Sequence, residues 1–466
     1  MQTPASKDQG KDGWQNRPTG LPSGVPPPSV PLSFLGAAVF GLVACGLALA
    51  YSRGYVVSDP TNDHVVGAAH FAMLATLSMG VLGALHQFTP VITQRPLRSV
   101  RVSRATFVSW LFAAWLLPVG FMSQRESVVE LGGGFATLAV CLLVFNIAPP
   151  LASKGKGPAS VGLRLSVVGF VLTACFGVVY VIDRTRNWFD LNGHVVLAHA
   201  CIGLLAWLGL TYISVSEKLW PMFMLAHVGG RHSSAWISIF AVFFGVTLLS
   251  PGLLFSLTWL ALTGALLVLV GLCAHVYSLV TYLRHRRRAL ELHQWFVLTS
   301  SAWLLVAVVF AGAASAMVRH GDHRGVALVA ASVSAFAGWL LVALVGHAYK
   351  IVPFIAWSAL RSKGISRNVN GSALAFADLF NHTWSSFDFL VVNSAVAALS
   401  LGLVTTSSPL IGAGGLLLVI TGLITGANLS WRTVRMYRGT VGAEIEVRPL
   451  AKLTHPATLR AKDASR

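Results

Sequence analysis

The sequence predicts an all-α integral membrane protein of twelve transmembrane helices in three pseudo-symmetric four-helix units. Three observations predict it: an apolar composition broken into spans, an uneven placement of charge, and a long internal repeat. The chain has 466 residues, of which 55% are hydrophobic and only 11% charged, with a mean hydropathy of +0.69. A soluble core does not need so much apolar surface. Apolar runs long enough to cross ~30 Å of hydrocarbon recur twelve times, near 32–52, 64–92, 105–121, 132–150, 165–183, 194–223, 235–250, 256–282, 293–317, 326–357, 386–404 and 410–430.

Charge orients these spans. Loops on the cytoplasmic side of a membrane carry an excess of Lys and Arg. With both termini inside, the inner segments hold 26 of the 34 basic residues and the outer loops 6, while Lys218 and Lys350 lie near inner helix ends. Acidic residues such as Asp59, Asp63, Glu126, Glu130 and Asp183 lean outward. The net charge of +18 is therefore a membrane signature, of the kind expected in a bacterial-type inner membrane with both termini cytoplasmic. A nucleic-acid partner would need a solvent-exposed basic domain, and none is predicted. Residues 1–31 are polar and proline-rich and read as a disordered cytoplasmic tail, and 431–466 as a basic cytoplasmic tail. Cys45, Cys141, Cys175, Cys201 and Cys273 all fall within spans, without a Cys-x-x-Cys pair, so they frame neither a disulfide scaffold nor a zinc site.

The membrane domain, 32–430, repeats with a period of about 131 residues. Pro90, Pro221 and Pro353 close the strings LHQFTP, EKLWP and YKIVP at spacings of 131 and 132. Trp207 and Trp339 are again 132 apart, and LRSVRVSR (97–104) returns as LRSKGISR (360–367), two periods later. Proline near the end of one long span has a bland cause, because helices often stop there. Three registers at one spacing point to three units of four helices.

Twelve spans in three such units, with histidines on the second and sixth, resemble the catalytic subunit of haem-copper oxidases, a fold shared with nitric oxide reductases. The resemblance covers about 32–430. It implies a haem- and/or copper-binding redox membrane protein, with haem b on His70 of the second span and copper near His199 of the sixth. His64, His194 and Cys201 lie close by as further ligand candidates, and His199, Cys201 and His194 are the set that would suit a metal. Imidazole and thiol match copper or haem iron better than magnesium or calcium. The outer-loop residues His320 and His323 are expected near them. The implied partners are the lipid bilayer and a cytochrome or other respiratory subunit.

The chain also departs from the family pattern. Its seventh span, 235–250, has no histidine, and Ala331 and Val333 stand on the tenth span where the family carries its ligand pair. A complete oxygen-reducing site is therefore not expected, and the enzyme assignment stays open. A transport or metal-handling protein that keeps the scaffold without haem is the alternative. Near the inner face, His86, Glu217, His347 and Lys350, with His275 and His293, form a second polar set. They read either as interfacial side chains pairing with one another or as a proton path or inner metal site. His227, His232, His285 and His455 read as solvated loop or tail residues.

Overall fold

The protein's structure is a computed structural model, describing residues 26–153, 155, 157–189, 193–228, 233–316, 321–368 and 371–453. Twelve of its helices are long and apolar enough to cross a membrane. They are α1 (Ser29–Ser58), α2 (Asp63–Thr93), α3 (Val100–Met122), α4 (Glu126–Leu151), α5 (Pro158–Arg186) and α6 (His194–Met224). The second half holds α7 (Ser233–Leu254), α8 (Thr258–Arg284), α9 (Leu292–Ala314), α10 (Ala327–Ser362), α11 (His382–Val404) and α12 (Ser408–Trp431). No strand occurs among the described residues, only a lone bridge between Arg367 and Ala373. The chain is an all-helical, multi-pass membrane protein. Most of the expected N-terminal tail lies outside the described residues, as do His232, His320, His455 and the side chain of His323. The last helix continues past Trp431 to Leu453.

The bundle has two chemically distinct ends. At one, Arg184 from the end of α5 binds Asp63 at the start of α2 (3.0 Å) and Glu126 at the start of α4 (2.6 Å). At the other, the Arg98 amide before α3 donates to the Asn146 carbonyl of α4 (3.0 Å), and the Asn146 amide reaches Ser103 Oγ (2.8 Å). We call these the acidic and the basic end. Pro90 and Pro221 lie in the last turn of α2 and α6, whereas α10 runs on well past Pro353 to Ser362.

In α2, α6 and α10 the winding changes from α to π for eight residues, at Phe71–Ser78, Ile202–Gly209 and Ser334–Leu341. Their first residues are 131 and 132 positions apart, the spacing of the prolines. A π segment lodges an extra residue in the helical ladder, is rare, and is often found at functional sites. In α2 the Thr76 hydroxyl donates five residues back, to the Phe71 carbonyl at 3.1 Å. The three segments also share a packing rule. Ala75 and Ala206, each fifth in its segment, press on Gly41 of α1 and Gly169 of α5 so closely that a Cβ at either glycine would collide with the alanine carbonyl. In α10 the roles are exchanged: Gly338 supplies the gap and Trp303 of α9 fills it.

Tryptophans tie the three long helices together. The buried Trp207 of α6 donates its Nε1–H to Ser78 Oγ of α2 at 3.0 Å. The buried Trp339 of α10 packs its ring edge on Gly209 of α6, which holds the same place in its segment as Ser78. Toward the basic end the same helices enclose a cavity of about 70 Å³. Its lining descends in triplets, one residue per helix: Leu77, Leu208 and Leu340, then Val81, Tyr212 and Leu344, then Ala84, Val215 and His347, then Phe88, Leu219 and Ile351. The walls are apolar except where α6 and α10 add Thr211, Tyr212, Ser216 and His347.

Candidate functional site

His70 immediately precedes the first π segment. Its Nδ1 lies 2.8 Å from the Val66 carbonyl. A carbonyl only accepts, so Nδ1 carries the hydrogen and Nε2 keeps its lone pair. This is the tautomer that a metal-ligating histidine adopts when its other nitrogen is held. The half-buried ring rests against Phe121 of α3, centroid to centroid 4.9 Å. Over that same Phe121 ring sits the Arg184 guanidinium, 5.2 Å from its centroid. The ion triad of Arg184, Asp63 and Glu126 thus caps the histidine's aromatic neighbour at the acidic end.

His199 comes from α6. It is flanked by Tyr180 of α5 at 5.5 Å, and Gly177 on α5 leaves space beside its Cε1. The Tyr180 hydroxyl donates to the Val195 carbonyl at 2.6 Å rather than to the imidazole. His199 Nδ1 is left buried with no hydrogen-bond partner. His70 and His199 lie toward the acidic ends of α2 and α6, with no hydrogen bond or ring contact between them.

The remaining candidates sit differently. Cys201 is half-buried, a free thiol, and occupies before the second π segment the place that His70 has before the first. His194 is exposed at the start of α6. His64 faces α1, its ring between Tyr55 (4.9 Å) and Tyr51 (5.6 Å). Among the described residues no three His, Cys, Asp or Glu side chains converge as a metal-binding set.

The basic-end candidates separate into three places. His86 stacks on Phe34 of α1 at 4.9 Å, its Nδ1 2.7 Å from the Leu82 carbonyl and its Nε2 buried and unpartnered. Glu217 accepts a 2.6 Å hydrogen bond from Tyr282 of α8. His347 and Lys350 share a third corner with His293 and Glu291. There Lys350 Nζ is 2.5 Å and His293 Nδ1 3.5 Å from Glu291 Oε2. Glu291 lies in the loop before α9, and its carboxyl is held down at about 2 by the His293 imidazole and the Lys350 ammonium. His347 Nδ1 binds the Ala343 carbonyl at 2.7 Å, and its ring meets Tyr212 edge-on at 5.9 Å. The four residues of the expected proton path do not form one continuous row.

Two further polar sites are enclosed: His275, already in the second polar set of the sequence, and Asp388, which a reading of the sequence alone misses. His275 of α8 is buried beside Tyr212 (5.6 Å) and Trp220 (5.3 Å), with neither ring nitrogen partnered. Asp388 of α11 is fully buried, with Tyr349 and Thr425 both donating to Oδ2 at 2.6 Å while Oδ1 has no partner. The signal for Asp388 is a single acid inside the apolar stretch SSFDFLVV (385–392). For His275 no signal separates it from other histidines of the spans.

No protein-family model matches this chain, and no curated protein matches it.

Proposed function

We propose that this protein is a haem-binding redox protein of the membrane, related in architecture to the catalytic subunit of respiratory oxidases and nitric oxide reductases but without their complete binuclear site. The observation that carries this reading is His70, whose Nδ1 is tied to Val66 so that Nε2 keeps a lone pair, together with His199, whose Nδ1 is buried and unpartnered. A buried polar atom without a partner in a lipid environment is costly unless something meets it. Haem iron suits these residues better than copper, because a porphyrin supplies four of its ligands and asks the protein only for axial ones. A copper ion draws its ligands from the protein, and no three such side chains converge among the described residues. In this reading His70 and His199 are the residues that would hold the haem. The bound haem would supply one-electron chemistry.

The three-unit arrangement belongs to the same proposal. The common period of the π segments and prolines supports it, as do the Trp207–Ser78 and Trp339–Gly209 contacts and the triplet lining of the cavity. The basic end is then cytoplasmic, with both chain termini on that side, and an inner-type membrane is the setting. Partners would include a cytochrome or another respiratory subunit, facing the acidic end.

The cavity between α2, α6 and α10 favours a second reading, transport or metal handling on a scaffold without haem. One experiment separates the two. Protein purified in mild detergent from cells supplied with iron and copper is examined by a dithionite-reduced minus oxidised spectrum, with metal content on the same sample. Sharp haem bands near one haem per chain are expected. Stoichiometric copper without haem, or neither, overturns the haem reading and leaves transport.

A further inference from the structure

Asp388 lies on α11 at the level where α10, α11 and α12 meet near the basic end, and none of its side chain is exposed. The Tyr349 hydroxyl from α10 and the Thr425 hydroxyl from α12 both donate to Oδ2. Oδ1 has no hydrogen-bond partner. From α9, Phe296 packs on the neighbouring Phe389 at 5.0 Å and on Tyr349 at 6.0 Å. The nearby Lys350 and Glu291 pair with each other, and His382, the nearest titratable group on α11 itself, is exposed at the helix start. Among the described residues no Lys, Arg or His forms an ion pair with Asp388.

An isolated carboxylate in a low-dielectric interior costs several kcal/mol even after relaxation. Two hydroxyl donors on one oxygen offset part of this, but the second oxygen receives nothing. A positive charge added at Oδ1 removes the cost. The single carboxylate offers too few ligands for a divalent ion, whereas a proton needs only Oδ1 itself. Two side chains, Tyr349 and Asn428, link the carboxyl to a groove at the basic end. Asn428, one turn beyond Thr425, approaches the Tyr349 hydroxyl. With Asn381, Trp384 and Trp431 it also lines a groove of about 460 Å³ between α11 and α12 at the basic end.

We propose that Asp388 is an intramembrane proton-binding site, taking a proton on Oδ1 from the solvent at the basic end by way of the Asn381–Asn428 groove. The proton comes from water, and releasing it to the same side restores the carboxylate, with Tyr349 and Thr425 holding Oδ2 in both states. This site does not depend on haem, and it uses none of the histidines assigned above.

Infrared spectroscopy of the full chain in lipid nanodiscs tests it, through the C=O stretch of a protonated carboxyl followed over about pH 5 to 9. The expected result is a band that disappears as pH rises, shifts in D2O, is missing in Asp388→Asn, and has the same midpoint in sodium and in choline chloride. Thr425→Val removes one donor from the charged form and should raise the midpoint by about one pH unit. That variant keeps the test alive if Asp388→Asn does not fold. Asn428→Leu should slow the band's response to a pH jump. No Asp388-dependent band, a band unchanged across the range, or a midpoint that moves with sodium would each overturn the proposal, the last in favour of a bound metal cation.

Discussion

His70 and His86 lie on the same helix and make the same local bond, Nδ1–H to the carbonyl four residues back, at 2.8 and 2.7 Å. Both keep Nε2 as the lone-pair nitrogen. Their surroundings differ. His70 is half-buried and leans on Phe121, whose other side carries the Arg184 guanidinium. His86 is stacked nearly parallel to Phe34, 23° between ring planes, with no exposed surface. The backbone bond thus selects a tautomer in any helix, and the neighbours decide whether that tautomer serves as a ligand. On the proposed reading His70 is the ligand and His86 a packing residue, although it is His86 whose Nε2 is buried without a partner.

The largest effect expected from breaking this comparison is spectral. His70→Ala should abolish most of the haem absorbance of the purified protein, while His86→Ala should leave haem content unchanged. Equal spectra in the two variants would remove His70 from its assigned role. Next come the glycines that let α1 and α5 reach the π segments. Gly41→Val or Gly169→Val must displace backbone, and should destabilise by about 3 kcal/mol or more in a denaturant titration. Gly134→Val has open space around it and should be silent. If all three behave alike, the close approach is not a constraint on the fold.

A smaller loss, about 1–2 kcal/mol, is expected from Ser78→Ala, which leaves the buried Trp207 indole N–H without its acceptor. The smallest effect concerns acid stability at the basic end. Glu291 is held at about 2, below its ordinary 4.5. A lowered carboxyl contributes stability above its unfolded value and loses it as pH falls toward the folded one. Melting temperature should therefore drop between about pH 4.5 and 2 in the native chain and less steeply in Glu291→Gln. Because Glu291 is partly exposed, salt should weaken the effect.

The twelve spans were legible because hydropathy is additive along a chain and each span is nearly continuous. The period was legible because Pro90, Pro221 and Pro353 survive in register. The π segments were not, since LATLS, LAWLG and AGWLL (74–78, 205–209 and 337–341) carry no composition that marks an extra residue in the ladder. Among the site residues, His70 and His199 stood out as imidazoles at matching depth on alternate long spans. Asp388 did not, because one acid in an apolar run is equally consistent with a helix end at the interface. Only Tyr349 and Thr425, distant in sequence, reveal that it is enclosed. His64 illustrates the opposite error: its sequence neighbourhood resembles that of His70, but six residues along a helix is well over one turn, and its ring turns to Tyr51 and Tyr55 instead.

The π segments bear on how the two halves of this bundle are phased. Each lodged residue adds a step of ~100° about the helix axis, so side chains on either side of it are rotated relative to an unbroken α-helix. In α2 this separates His70 from Leu77, Val81, Ala84 and Phe88 as if they belonged to two helices joined end to end. The bundle can then point one set of residues sideways at its acidic end and another at the central cavity below. A gain or loss of a single codon within 71–78 would act as a twist of the lower half rather than as a change of composition, and every contact of His86 would be re-dealt at once.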